Sequence, residues 1–101
     1  MKKYPFLKFY IAEEEECEGT LFVANTNNNS VVWFDNLNRE WQGSYFCYED
    51  LKNNKNFFRE VEKFDNGYIN IEDILDPRAL KSIITRFSMW FEEKDEKENE
   101  I

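Results

Sequence analysis

The sequence predicts a small α+β domain in which a mainly antiparallel sheet is covered by a C-terminal amphipathic helix. Two patterns support this fold class: a helical apolar periodicity from Asp76 to about Glu93, and earlier short segments rich in aromatic and β-branched residues. The length of 101 residues suits a single core, and ten Phe, five Tyr and three Trp supply large side chains to fill it. We therefore expect one domain over residues 1–94 and an acidic, disordered tail over residues 95–101.

The first half of the chain contains three strand-like segments. Tyr4–Ala12 is apolar except for Lys8, which favours a strand that is buried on both faces. The charged run EEEECEG then predicts a loop. Thr20–Ala24 and Ser30–Phe34 flank the run NTNNN, and asparagine tolerates left-handed backbone conformations. These two segments therefore predict an antiparallel hairpin with an asparagine-rich turn.

Two segments allow alternatives. In Arg39–Tyr48, the aromatic run SYFCY favours a strand followed by a helical turn at Glu49–Lys52, and the alternative is a helix capped by Ser44. For residues 56–71 we prefer a hairpin whose first strand lies in Asn56–Phe64, which turns at Asn-Gly and returns through Tyr68–Ile71. The alternative for Asn56–Phe64 is a short helix.

The predicted helix has a clear beginning. Asp76 can accept backbone hydrogen bonds as the N-cap, and Pro77 suits the first helical position because its missing N–H costs nothing there. The apolar residues that follow are spaced along one face of a helix. These residues are Leu80, Ile83, Ile84, Phe87 and Phe91, with Trp90 at the edge of the stripe.

The net charge of −8 is concentrated in two short segments. Five glutamates lie between positions 13 and 18, and six of the last ten residues are acidic. Binding to nucleic acid or to an anionic membrane requires an accessible basic patch, so we expect neither. The acidic segments instead favour a basic protein partner.

The composition also argues against metal and haem chemistry. The chain has no His, and its only cysteines are Cys17 and Cys47, so zinc, haem and iron–sulfur sites lack ligands. We expect no cofactor. Without a secretory signal, two reduced thiols in a cytoplasmic protein are preferred over a disulfide. No apolar run approaches the roughly 20 residues that cross a bilayer.

No catalytic motif can be defended, and the chain is not expected to be an enzyme. The usual base for a Ser or Cys nucleophile is absent without His, and the three glycines are too dispersed to form a phosphate loop. The string DNGYINIED partly matches a calcium-binding EF-hand loop, but the alignment puts Phe64 at an oxygen-ligand position and Asp73 where Glu is needed. A turn is therefore preferred there.

The predicted contacts for a basic partner combine acids with aromatic anchors. Charged loops supply steering and charge-assisted hydrogen bonds to Lys or Arg. Tyr45 and Tyr48, like the tryptophans, would act as hot spots if they are left exposed beside such a loop. We call Glu13–Glu18 the acidic loop. The alternative role for the acidic loop is that of a solvated segment whose charges prevent strands of different molecules from pairing edge to edge. The candidate residues are Glu13, Glu14, Glu15, Glu16, Glu18, Trp33, Trp41, Glu49 and Asp50.

A small, acidic, His-free chain with the segments EEEECEG and REVEKFDNGYINI resembles the immunity proteins encoded beside contact-dependent growth inhibition toxins and other bacterial polymorphic toxins. The resemblance implies a cytoplasmic protein that binds one toxin domain, often a basic nuclease, and neutralises it. One alternative is a phage nucleic-acid mimic, such as an anti-CRISPR or anti-restriction protein. Another is a structural or adaptor domain that mediates interactions. The oligomeric state stays open.

Overall fold

The computed structural model describes residues 6–14 and 18–87, which form a five-stranded antiparallel sheet and three helices. The predicted α+β class is confirmed. The expected tail, the N-terminal five residues and Glu15–Cys17 lie outside the described residues. The elements in chain order are β1 (Leu7–Ala12), β2 (Leu21–Asn25), β3 (Ser30–Asp35), β4 (Glu40–Gly43), α1 (Tyr48–Asn53), β5 (Phe58–Val61), α2 (Ile71–Ile74) and α3 (Pro77–Arg86).

The sheet has the strand order β4-β3-β2-β1-β5, so the first strand is flanked on both sides. Phe9 of β1 lies opposite Val23 on one neighbour and Val61 on the other. Successive side chains of a strand point to opposite faces of the sheet. In β1, Phe9 is buried on one face and Tyr10 is buried on the other. The prediction of a strand buried on both faces is therefore confirmed.

One face of the sheet, the helical face, carries the larger buried cluster. From the strands it contains Leu7, Phe9, Leu21, Val23 and Val32. The helices α2 and α3 contribute Ile71, Ile74, Leu80 and Ile83 to the same cluster. Each of these side chains is nearly inaccessible to water, so the cluster is stabilised by the hydrophobic effect at about 25 cal/mol per Å² of apolar area removed from water.

The opposite face, the aromatic face, has a thinner cover. Its strand residues are Tyr10, Ala12, Phe22, Ala24, Val31 and Phe58. The six-residue helix α1 covers them and buries Leu51 completely. Beside these buried residues, Trp33 is only half-buried and keeps part of its surface in contact with water.

The hairpin between β2 and β3 is confirmed with its asparagine-rich turn. Asn29 has a φ of 65°, the left-handed conformation that asparagine tolerates better than most residues. The carboxamide of Asn25 accepts the backbone N–H of Asn27, and that of Asn28 accepts the backbone N–H of Ser30. These two carboxamides thus accept hydrogen bonds from backbone N–H groups of the turn, which have no acceptor on a neighbouring strand.

The predicted strand over SYFCY is wrong. The strand ends at Gly43, Ser44 to Cys47 form an irregular connection, and α1 begins at Tyr48 with Cys47 as its N-cap. Ser44 does not cap a helix either, so the alternative is also wrong, although the helical turn predicted at Glu49–Lys52 lies within α1. Tertiary packing overrides the local strand propensity of this segment, because the ring of Phe46 packs against the rings of Phe22 and Phe58.

The predicted hairpin over residues 56–71 is half correct. Its first strand exists as β5, but this strand pairs with β1, and the returning strand is replaced by a single bridge between Asp65 and Asn70. Gly67, at φ 87°, lies in the turn as Asn-Gly predicts. Asn70 then caps α2 by accepting the N–H of Asp73 at 2.7 Å, which starts a helix where a strand was expected.

The C-terminal helix begins as predicted and ends earlier. Asp76 accepts the backbone N–H of Arg78 at 2.8 Å, and Pro77 occupies the first position of α3. The helix ends at Arg86, since Phe87 has the non-helical angles φ −121° and ψ 60°. The prediction of a helix extending to about Glu93 is therefore wrong at Phe87, and residues 88–93 lie outside the described residues.

Candidate protein-binding surface

The most exposed aromatic side chain of the described residues lies in the connection between β4 and α1. We call Ser44–Cys47 the aromatic loop. Tyr45 is fully exposed, and 46% of Phe46 is exposed. A tyrosine with its whole ring in water gains much by binding a partner, because burial of an aromatic ring removes a large apolar area from water.

The aromatic loop is held at both ends by hydrogen bonds. At its start, the N–H of Ser44 donates to the carbonyl of Val31 at 3.0 Å, and the Ser44 hydroxyl accepts the N–H of Phe46 at 2.9 Å. At its end, the N–H of Cys47 donates to the carboxylate of Asp50 at 2.9 Å. Tyr45 is therefore presented from an ordered backbone, which reduces the entropy lost on binding.

Phe46 connects the loop to the sheet. Its ring lies 5.4 Å from that of Phe58 and 6.5 Å from that of Phe22, measured between centroids. Phe22 is in turn 5.3 Å from Phe58 and 6.3 Å from Trp33. These spacings fall in the range of favourable edge-to-face and offset aromatic pairs. The loop thus extends an aromatic cluster from the core to the surface.

The acidic loop lies at the end of the sheet where β1 and β2 meet. Glu13 forms an ion pair with Arg59, with 2.7 Å between Oε1 and Nε, so it fastens the loop to β5. Glu14 and Glu18 are exposed to water. Glu15 and Glu16 lie outside the described residues, as does Cys17. Of the predicted acids, Glu14 and Glu18 are the described ones that this loop presents most openly.

The two predicted tryptophan anchors lie on opposite faces of the sheet. Trp33 is directly across from Phe22 and belongs to the aromatic face, where it is half-buried. Trp41 is across from Phe34, at 5.3 Å between ring centroids, and packs against the helical-face cluster. A single docking surface therefore includes Trp33 and leaves Trp41 out.

The predicted acids at the start of α1 have different roles. Asp50 accepts the N–H of Cys47 at 2.9 Å and lies 3.4 Å from its sulfur, so its carboxylate completes the helix cap. Cys47 itself carries a free thiol. Glu49 is exposed, and its backbone N–H donates to the Asn29 carboxamide at 3.0 Å. Glu49 is thus the acid of this pair that faces solvent.

Acidic groups therefore flank the aromatic face at both ends. Glu49 lies at the end marked by the β2–β3 turn, through its contact with Asn29. Glu18 lies at the other end, before β2. The five residues of β2 separate the two ends by roughly 13 Å at about 3.3 Å per residue. The resulting surface has Phe46 and Trp33 at its centre and the exposed ring of Tyr45 on the adjoining loop. Glu18 and Glu49 lie at its two ends, and the exposed Lys52 lies beside Glu49 on α1.

The sequence did not single out Phe46, and it named Tyr45 as a candidate only if exposed. An aromatic residue in a run such as SYFCY is typical of a buried strand, so the pattern itself predicts burial. The one available signal was Gly43-Ser44, which interrupts the run and permits the chain to leave the sheet. Exposure of Tyr45 depends on where α1 begins, which is set by tertiary contacts.

Comparisons with protein-family models, with curated proteins and with solved structures gave no match. The resemblance to immunity proteins therefore stays a prediction. Among the described residues there is no group of three or more acidic or cysteine side chains placed to hold a metal ion. None of the helices in the described part is long and apolar enough to cross a membrane.

Proposed function

We propose that this protein is a small inhibitor that binds one basic protein through the aromatic face. The observation that carries the proposal is the fully exposed ring of Tyr45 on a loop fixed by hydrogen bonds. A rigid aromatic anchor surrounded by polar residues is the usual centre of a protein interface. Glu18 and Glu49 at the two ends would steer a positively charged partner toward it.

In this proposal the partner is a toxin nuclease domain and the protein acts in the cytoplasm as an immunity protein. A nuclease that uses Lys and Arg on nucleic acid offers the complementary positive surface. Inhibition then needs no chemistry from the inhibitor, only occupation of that surface. This fits a chain in which no His is available as a catalytic base.

Charge reversal at the two acidic ends tests the steering part of the proposal. The variant Glu18→Lys with Glu49→Lys is expected to bind a purified nuclease partner about tenfold more slowly, and the difference should shrink as salt is added. The measurement is the association rate by stopped-flow fluorescence at several salt concentrations.

The matched control carries the same charge change on the other side of the sheet. Glu62→Lys with Glu72→Lys alters two exposed acids, and Glu72, like Glu49, lies in the first turn of a short helix. We expect this control to associate at nearly the native rate. Equal slowing by both variants would mean that net charge alone governs association and that the aromatic face has no special role.

A further inference from the structure

The strand β4 forms one edge of the sheet, and its register shows which of its backbone groups face outward. The N–H of Ser44 donates to the carbonyl of Val31, the residue that lies opposite when the β3–β4 register is continued by one position. In an antiparallel pair, hydrogen-bonded and non-hydrogen-bonded positions alternate. Gln42 is therefore hydrogen-bonded to β3, whereas Trp41 and Gly43 direct their N–H and C=O groups away from the sheet.

The β4 edge is the more open of the two edges. Outside the ladder with β3, no hydrogen bond joins the backbone of Trp41 or Gly43 to another described residue. In β5, at the opposite edge, the N–H of Phe58 donates to the carbonyl of Asn54, and the other outward position carries the charged Glu60. Charged side chains on an edge strand oppose pairing with a further strand.

The side chains of β4 do not oppose such pairing. The acid of this strand, Glu40, forms an ion pair with Arg86 at 3.5 Å, and the three residues that follow it are uncharged. The last of them, Gly43, is exposed. Unpaired backbone groups on an edge of this kind can bind a strand of another molecule.

We propose that two copies of this chain pair antiparallel through β4, about a two-fold axis at Gln42. Trp41 of each copy then lies opposite Gly43 of the other, and each such pair exchanges two hydrogen bonds through its outward N–H and C=O groups. Gln42 faces Gln42 of the second copy, where each carboxamide can donate and accept. Glu40 faces Ser44 of the second copy, whose hydroxyl can donate to a carboxylate. A second copy fits this edge because no like charges face each other across it.

This pairing does not rest on the proposed inhibitor function. It uses the backbone of β4 and not the ring of Tyr45, and it is tested with the protein alone. Two short strands form a small interface, so we expect a weak dimer that buries less than about 1,200 Å². The dimer should therefore become populated as the protein concentration rises from about 10 μM to about 1 mM.

Sedimentation velocity of the native protein, of Gly43→Pro and of Gly43→Ala over this concentration range tests the proposal. Proline removes the outward N–H and places its ring in the path of a second strand, while the ladder with β3 does not use this N–H. Gly43→Pro should weaken dimerisation about tenfold or more. Gly43→Ala is the control, since it keeps the N–H and its Cβ would lie 3.9 Å from the ring of Phe87, an ordinary contact. It should dimerise within about twofold of the native protein.

A cysteine cross-link tests the register independently of the proline variant. In a background with Cys17→Ser and Cys47→Ser, Gln42→Cys places two thiols opposite each other at a Cα separation of about 4.5 Å, which a disulfide can span. Glu40→Cys is the control, because its two copies would lie about 13 Å apart at about 3.3 Å per residue. We expect mild oxidation to give a covalent dimer of Gln42→Cys and little of Glu40→Cys.

The proposal is overturned if the native protein sediments as a monomer at every concentration, which would leave the β4 edge to a strand of another protein. It is also overturned if Gly43→Pro dimerises like the native protein, if Gly43→Ala is weakened as much as Gly43→Pro, or if the two cysteine variants cross-link equally. Amide spectra of each variant establish that it is folded.

Discussion

The acidic side chains on this side of the protein have different roles, and the hydrogen bonds and ion pairs of each side chain indicate its role. Glu13 is held by Arg59, and Asp50 is held by the backbone N–H of Cys47. Both carboxylates would have to give up these contacts to meet a partner. Glu18 and Glu49 are exposed at the surface, where a partner can reach them. At the scale of single residues, we therefore assign the attraction of a basic partner to Glu18 and Glu49. Glu13 and Asp50 instead stabilise the local structure of the protein.

Tyr10 gives a prediction at this same scale. Its pKa of about 12 exceeds the ordinary value of 10, with burial as the main cause. The folded protein then keeps a proton that the unfolded chain releases, so this contribution to stability is complete below pH 10 and is lost as pH rises toward 12. We expect the tyrosinate absorbance that disappears in Tyr10→Phe to be the part that titrates near pH 12. If the absorbance that is missing in Tyr10→Phe were instead the part that titrates near pH 10, the raised pKa of Tyr10 would be contradicted.

At the scale of elements, α1 depends on its neighbours more than on its own sequence. An isolated helix shorter than about 12 residues is marginal in water, and α1 has six. It is stabilised by the buried side chain of Leu51, by the cap that Asp50 forms with Cys47, and by two hydrogen bonds to Asn29. The position of the aromatic loop follows from these contacts, because the loop connects β4 to the first turn of α1.

The Asn29 contacts can be separated by two substitutions. Asn29→Gly keeps the left-handed backbone and loses the carboxamide that accepts the N–H of Glu49, so it should lower the free energy of unfolding by about 1 kcal/mol. Asn29→Ala loses the same bond and also forces a Cβ into the left-handed region, which adds about 1 kcal/mol. Urea denaturation measures both. Equal stability of the two variants would show that the φ of 65° carries no cost for alanine.

The element scale also shows why only part of the fold was predictable. Segments whose pattern is local were correct: the β2–β3 hairpin with its asparagine turn, and the start of α3 at Asp76 and Pro77. SYFCY and the segment through Ile71 were wrong because distant partners decide them. Phe46 leaves the sheet to pack on Phe58, and Ile71 is buried by the helical-face cluster.

For the candidate site, the sequence predicts which residue types take part, and these predictions stay untested. A sheet face cannot be assigned to a residue before the strand register is known. Trp33 and Trp41 seemed equivalent in the sequence, and the register separates them onto opposite faces. The exposed ring of Tyr45 follows only from the path of the chain between β4 and α1.

At the scale of the whole molecule, the two faces of the sheet are covered unequally. Two helices contribute to the cluster on the helical face, whereas, of the helices in the described ranges, α1 alone lies over the aromatic face. Beside α1, the aromatic loop presents the exposed side chains of Tyr45 and Phe46. The proposed partner would therefore approach the protein from the side of the aromatic loop.

The affinity of a purified nuclease partner for Tyr45→Ala tests the central claim most directly, with Tyr68→Ala as the control. Both variants remove an exposed tyrosine ring, and Tyr68 lies in the turn between β5 and α2. For Tyr45→Ala we expect a loss of about 2 kcal/mol, or roughly thirtyfold in Kd, as for a hot-spot residue. For Tyr68→Ala we expect less than about a twofold change, as for residues outside the hot spot. Native affinity in the Tyr45→Ala variant would contradict the account, because the aromatic loop would then lie outside the interface.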